Sequence, residues 1–347
     1  IMKYQYNYIS LIIILILIIF LFFMINRMTN ITENYTGLKT QYFFDNLKKY
    51  NFTYDNQKNI TYCPINNKSN QCIKKNYKLH FNSPESVKLV KNKVKTSSLL
   101  QKYGIPVPTF VVVNGQEPDP LLMKQLQENK IRIPFVIKPI NGTFGIDVQK
   151  IDSQNEFFQT LTKFKKKYED MMVENFFEGS VYRIFVFQGK IIDIIKRDKP
   201  YIVGNGYDSV EYLITQRNQN MVNNGFVETK NLSIDYMEKQ GYTLQSILPL
   251  HHKLFITNVI NMHNGALLER INISSVPVKN LDLFIKVGQI LKINCYGLDY
   301  ISRDVTKPFK FGEDVILEVN GTPDTEIHTK IDKYGPLFFE KIVKNIF

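Results

Sequence analysis

The chain of 347 residues has no tryptophan and only three cysteines, Cys63, Cys72 and Cys295. No C-x-x-C pair or histidine at metal spacing accompanies them, which argues against zinc, and an odd, sparse set argues against a disulfide framework. Cys63 and Cys72 are close enough in sequence to pair, but free thiols are the expectation. The phosphate-loop patterns G-x-x-x-x-G-K-[ST] and G-x-G-x-x-G are both absent, as is any internal repeat. Acidic residues are in deficit: 32 Asp and Glu stand against 44 Lys and Arg, a formal charge of +12. Such a balance permits an anionic partner, whether nucleotide, nucleic acid or membrane surface, without requiring one, because the Asn, Ile and Lys abundance of an AT-rich gene produces the same excess. The same composition makes N-x-[ST] triplets, as at Asn30, Asn34, Asn51, Asn59 and Asn67, expected by chance. What is present is enough apolar material, 44% hydrophobic and 13% aromatic, for one large or two modest domains.

After a short tail (1–8), Ile9 to Ile25 is almost unbroken Ile, Leu and Phe, broken only by Ser10 and Met24. Seventeen helical residues span roughly 25 Å, at the short end for a bilayer. A buried core helix would show a polar face, and a signal peptide would need a small-residue cleavage site; neither is found, so an uncleaved transmembrane anchor is expected. Lys3 precedes the run while Arg27, Lys39, Lys48 and Lys49 follow it, which tilts the body toward the cytoplasmic side. Residues 26–82 read as a polar tether and small entry subdomain.

At Ser83-Pro84-Glu85 a helix begins, with serine as cap and proline at its first position. Its apolar stripe runs through Val87, Val90, Val94 and Leu99 to a stop at Gly104. A strand is expected in Ile105–Val113 and an exposed helical patch near Pro120–Lys130. Phe135 to Val148 then reads F-V-I-K-P-I-N-G-T-F-G-I-D-V, a buried strand delivering Lys138 to a glycine-rich loop. Gly142 and Gly145 would let backbone N–H groups approach a polyanion, although lysine beside a glycine turn is equally an ordinary β-turn. Gln154–Tyr168 is an amphipathic helix whose Lys163, Lys165, Lys166 and Lys167 read as a solvated face; nucleic acid is a disfavoured partner. Strands follow at Met171–Phe177, Tyr182–Phe187 and Ile191–Ile195, the last two a hairpin about Gln188-Gly189. Helices are expected at Ser209–Gln219 and Leu281–Asn294, and strands at Leu298–Ile301 and Val315–Asn320. The alternation implies an α+β body of two lobes.

Glu318 and Asn320 alternate on one face of an apolar strand, and Asp299 lies on another such strand. Buried carboxylates need a cation. Oxygen ligands without His or Cys suit Mg²⁺, with Mn²⁺ as an alternative, and ordinary salt bridges to Lys or Arg satisfy the same rule.

In order, N-K-V-K-T-S-S-L-L and G-I-P-V-P (92–108), V-I-K-P-I-N-G-T-F-G-I-D-V, V-E-N-F-F-E-G-S-V-Y-R (173–183), K-R-D-K-P-Y-I-V-G-N-G (196–206), N-M-H-N-G (261–265), G-L-D-Y-I (297–301) and L-E-V-N-G-T-P-D-T-E-I-H (317–328) resemble the ATP-grasp superfamily. The likeness is to the ATP-grasp domain of cyanophycin synthetase and to glutathione-synthetase-like carboxylate–amine ligases, over about residues 83–330. It implies two antiparallel-sheet lobes clamping ATP, an N-terminal lobe at 83–175 and a C-terminal lobe with the Mg²⁺ site at 176–347. Lys93 and Lys138 would contact phosphates, and Asn141, Gly142, Thr143 and Gly145 would close over them. Glu174, Asn175 and Phe176 would form the adenine hinge, with Glu178 toward the ribose. Asp299, Glu318 and Asn320 would hold Mg²⁺, and Arg183 and Arg197 would face the substrate or transferred phosphate.

The implied reaction joins a carboxylate of an amino acid or peptide to an amine through an acyl phosphate. Three departures stand out: Val181 where an acidic ribose ligand is usual, G-N-G for G-D-G at 204–206, and an altered 261–266 loop. They keep an ATP-binding pseudoenzyme and a small-molecule kinase open as alternatives. Without a second ligase domain, cyanophycin synthesis as such is not expected, and a homo-oligomer stays open.

Overall fold

The computed structural model describes the strand backbones at 52–55, 61–64 and 73–74, and residues 81–344 apart from 115–118, 141–146, 224–231, 258–259, 261–264, 324, 326, 329–330 and 332–336. The expected membrane segment lies outside them. Among the described residues no helix is long and apolar enough to cross a membrane.

Strands β1 (Phe52–Asp55), β2 (Thr61–Pro64) and β3 (Ile73–Lys74) form a small antiparallel sheet. Helix α1 (Pro84–Lys91) starts as expected, with the Ser83 hydroxyl accepting from Ser86 N–H. The expected single helix to Gly104 is instead two. Asn92 leaves helical geometry at φ −91°, ψ 100°, and its side-chain oxygen caps α2 (Lys93–Lys102) by accepting from Lys95 N–H. Asparagine satisfies a helix start better than a helix interior, which is why the break falls there. Lys93 is thereby the first residue of α2.

Strand β4 (Phe110–Asn114), helix α3 (Asp119–Glu128), strands β5 (Phe135–Pro139) and β6 (Gln149–Ile151), helix α4 (Gln154–Lys165) and strand β7 (Asp170–Asn175) build the first lobe. Its sheet runs β4-β7-β5-β6, antiparallel throughout. Phe135, Ile137, Met171 and Val173 turn one face toward Phe157 and Leu161 of α4 and Leu122 and Leu126 of α3. Helix α3 is therefore half core, where the sequence suggested an exposed patch. On the opposite face of the same strands stand Lys138 and Glu174.

The second lobe begins with the hairpin β8 (Ser180–Phe187) and β9 (Lys190–Asp198). Positive φ at Gln188 (48°) and Gly189 (73°) makes the two-residue turn that matches strand twist. Strand β10 (Tyr201–Val203), helices α5 (Val210–Asn223) and α6 (Ile234–Glu238) and strand β11 (Lys253–Phe255) form an insertion with its own core around Val210, Met237 and Leu254. Strand β12 (Leu267–Arg270), helix α7 (Val278–Leu291), strands β13 (Cys295–Ser302) and β14 (Val315–Asn320) and helix α8 (Leu337–Lys344) complete the chain. The sheet order is β12-β9-β8-β13-β14. Cys295 is buried and free, with its thiol pushed up by burial.

Tyr182, Ile184, Leu298 and Val319 share a core with Phe284 and Val287 of α7, Val90 of α1 and Leu100 of α2. Helices α1 and α2 thus pack with the second sheet, although adjacency in sequence grouped residues 83–104 with the first lobe. Their apolar stripe decides the matter. The alternate strand residues Arg183, Phe185, Asp193, Arg197 and Asp299 occupy the sheet's other face.

Candidate active site

Lys93 and Glu318 from the second lobe and Lys138 from the first line one narrow cleft open to solvent, with Thr96 and Ser97 of α2 beside them. Three residues singled out separately in the sequence, from both lobes, meet there. Each cation holds a carboxylate. Lys138 Nζ lies 2.5 Å from Glu174 Oε1, with both side chains buried, and Lys93 Nζ lies 2.8 Å from Glu318 Oε1. Glu174, expected at the hinge, has its backbone in the sheet ladder opposite Phe110 and Val136 and its carboxylate paired with Lys138.

Asp299 and Glu318 face each other across β13 and β14, and a bulge between Asp299 and Tyr300 resets the register just beyond them. Bulges re-aim side chains, here at the point where two carboxylates must share a face. Arg183, directly opposite Asp299 on β8, brings Nε to 3.2 Å of Asp299 Oδ1, and Arg197 Nη2 reaches the same oxygen at 2.8 Å. Burial pushes the Asp299 pKa up, but Arg183 and Arg197 outweigh it and hold the carboxyl below its usual range. These are ion contacts out of line for hydrogen bonds. Asp299 Oδ1, Arg183 Nε and Nη1, and Arg197 Nε are all buried without a hydrogen-bond partner among the described residues. Arg183 lies close over Gly297: a Cβ there would stand 2.9 Å from Arg183 Nη1 and 3.1 Å from Pro323 Cβ, so a larger residue would displace the guanidinium.

Other expected site residues fare differently. Asn141, Gly142, Thr143 and Gly145 lie outside the described residues, as does most of the 261–265 loop. Asn175 donates its backbone N–H to Thr109 O, and the Phe176 ring carries Lys150 Nζ 4.7 Å above its centroid. Glu178 points to solvent with a loose 3.9 Å contact to Arg303. Asn320 lies opposite Gly297, on the Glu318 side of β14.

Two features escaped the sequence reading. One is Asn82, whose amide donates to Cys295 O and Gly321 O and accepts from the N–H groups of Asn294 and Cys295, tying the segment just before α1 to the start of β13 and the end of β14. The other is a buried Arg270–Asp193–His328 set behind Arg183. Only the carboxylate inside Ile191-Ile-Asp-Ile-Ile195 signalled it.

A family model described as sugar-transfer associated ATP-grasp matches residues 72–179. Cyanophycin synthetase of Synechocystis sp. is 28% identical over 255 residues, covering 70% of this chain and 28% of that protein. The glutathione biosynthesis bifunctional protein GshAB of Desulfotalea psychrophila is 25% identical over 254 residues, covering 70% of this chain and 32% of that one. The crystal structure of a bifunctional glutathione synthetase from Pasteurella multocida superposes with a TM-score of 0.52 at 20% identity, over 84% of this chain and 41% of the other. The chain has the ATP-grasp fold and is similar in sequence to these ligases over about 70% of its length. It spans little more than a quarter of the cyanophycin synthetase it matches.

The residues present fit the ligands of an ATP-grasp site. Among the described residues no three His, Cys, Asp or Glu side chains cluster. The donor set is two carboxylates and an amide oxygen, which suits a hard cation completed by water and phosphate oxygens. The unpartnered guanidinium N–H groups beside them suit an oxyanion.

Proposed function

We propose that this chain is an ATP-dependent ligase that activates a carboxylate of an amino acid or peptide-type substrate as an acyl phosphate and joins it to an amine. One observation carries the reading: Lys93, Lys138 and Glu318, from two lobes, line a single cleft, and Glu318 lies opposite Asp299, which contacts two arginines with unpartnered N–H groups. Lys93 and Lys138 would neutralise phosphate charge. Asp299, Glu318 and Asn320 would hold Mg²⁺, which supplies electrostatic stabilisation of the transferring phosphoryl group. Arg183 and Arg197 would orient the reacting oxyanion in a buried site, where a charged donor is worth more than in water. The names of the similar proteins, cyanophycin synthetase and glutathione synthetase, support amino-acid or peptide substrates.

Incubation of the chain with ATP, Mg²⁺ and pooled amino acids, followed by mass spectrometry, should show an amide product together with ADP. Glu318→Ala should abolish it, and unchanged turnover in that variant would remove Glu318 from the metal site. Val181, where an acidic ribose ligand is usual, and the altered 261–266 loop favour one competing reading, an ATP-binding scaffold without turnover. Stabilisation by ATP with no product across the amino-acid pool would select it.

We further propose that Ile9–Ile25 anchors the chain in a bilayer with the ATP-grasp body on the cytoplasmic side. Support comes from the apolar run and the flanking Arg27, Lys39, Lys48 and Lys49. Recovery of the full chain in the carbonate-washed membrane fraction, and of a 40–347 form in the supernatant, is the expected result.

A further inference from the structure

Asp193 sits alone among four isoleucines of β9 and is almost fully buried. Arg270 of β12 grips it with a two-pronged contact, Nε to Oδ1 at 2.9 Å and Nη2 to Oδ2 at 3.0 Å. His328 Nδ1 meets the same Oδ2 at 3.0 Å, and Arg270 Nη2 also donates to His328 O at 2.7 Å. The His328 ring is wholly enclosed, stacked on Phe338 at 4.7 Å and edge-on to Phe185 at 5.3 Å. A carboxylate only accepts, so the neutral ring must carry its proton on Nδ1 and give it to Asp193.

None of these groups lines the cleft. They are nevertheless one step from it. Phe185, under His328, lies opposite Asp193 and two residues along β8 from Arg183, on the same face. The turn that leaves β14 after Asn320 passes Pro323 over the Gly297 slot where Arg183 Nη1 lies, then reaches His328.

We infer that Arg270, Asp193 and His328 are positioning residues for the reacting face: they fasten the far end of the turn after β14, and that turn walls Arg183 into place beside Asp299. Only the catalytic consequence rests on the ligase reading. A single fork from Arg270 holds both a side chain and a backbone carbonyl, so lysine, a point donor, cannot replace it.

The test compares the full chain with Asp193→Asn and Arg270→Lys. Hydrogen exchange in the peptide covering 319–328 should quicken at least tenfold while the α7 peptide is unchanged. The Arg183 Nε–H signal in nitrogen-edited NMR, assigned by its loss in Arg183→Lys, should be sharp in the parent and broadened in both variants. With turnover established, kcat should fall at least tenfold while KM for ATP stays within twofold. Exchange that is unchanged, or that quickens equally across the chain, overturns the inference, as does an undisturbed Arg183 signal or an undiminished kcat. If the parent chain forms no product the ligase reading falls, and the exchange and Arg183 signals still decide the positioning.

Discussion

The buried Lys138–Glu174 pair offers the sharpest test of how the first lobe is held and what its cation is for. Both side chains are nearly excluded from water, at 7% and 3% exposure, and they touch at 2.5 Å. Removing the carboxylate alone, as Glu174→Leu, strands an ammonium in the sheet and should destabilise by about 3–5 kcal/mol. Replacing both, as Lys138→Met with Glu174→Leu, removes the Coulomb gain and the desolvation cost together, so that variant should return to within about 1–2 kcal/mol of the parent. Urea unfolding followed by circular dichroism reads these differences, tyrosine being the only fluorophore of note in a chain without tryptophan.

Ligand binding then separates structure from function. ATP with Mg²⁺ at a hundred times its dissociation constant should stabilise the parent by about 2.7 kcal/mol. The double variant, folded but lacking the phosphate-facing ammonium, should lose most of that gain. A double variant as unstable as the single one would refute the ion-pair energetics, and one that keeps the full ATP effect would refute the role of Lys138.

Asn82→Ala deletes four hydrogen bonds of 2.6–2.8 Å in a half-buried setting and should cost about 2–4 kcal/mol in the same unfolding assay. Gly297→Ala should push Arg183 off Asp299, lowering product formation at least tenfold for about 1–3 kcal/mol of stability, read by turnover against unfolding free energy. Acid should destabilise the fold. Burial lowers the His328 pKa from its ordinary 6.5, so below that pH the unfolded chain takes up a proton that the folded chain refuses, and stability falls by up to about 1.4 kcal/mol per pH unit. Asp193 acts in the same direction: its carboxyl is raised by burial but held low overall by His328 and Arg270, so its contribution is lost as pH falls through the depressed value. His328→Gln should flatten the unfolding profile between pH 7 and 5, and a slope like the parent's would rule His328 out as its source.

Most of the frame was legible because it is local. The Ser83 cap, the Gln188-Gly189 turn, the period of α4 and the apolar runs of β5, β8, β13 and β14 each depend on residues within a few positions of one another. The break at Asn92 and the allegiance of α1 and α2 were less legible, because a stripe of Val and Leu says that a face is buried without saying against what. Partner choice was hidden altogether where the partners are far apart, as with Lys93 and Glu318, 225 positions apart, or Asp193 and His328, 135 apart.

A lone carboxylate in an apolar strand was the signal at Asp299 and equally at Asp193, and periodicity cannot rank the two. Hydrogen bonding can. Both oxygens of Asp193 are taken, by Arg270 and His328, and one atom of the set, His328 Nε2, is buried without a partner among the described residues. Around Asp299 the charges balance but the hydrogen bonds do not: one carboxylate oxygen and three guanidinium nitrogens are buried without an aligned partner. Protein interiors rarely leave such atoms unsatisfied, each costing about 1–3 kcal/mol. Four together, on the face that carries Glu318, outnumber the single unpartnered atom of the Asp193 set, and that difference is what supports the proposed ligand site there.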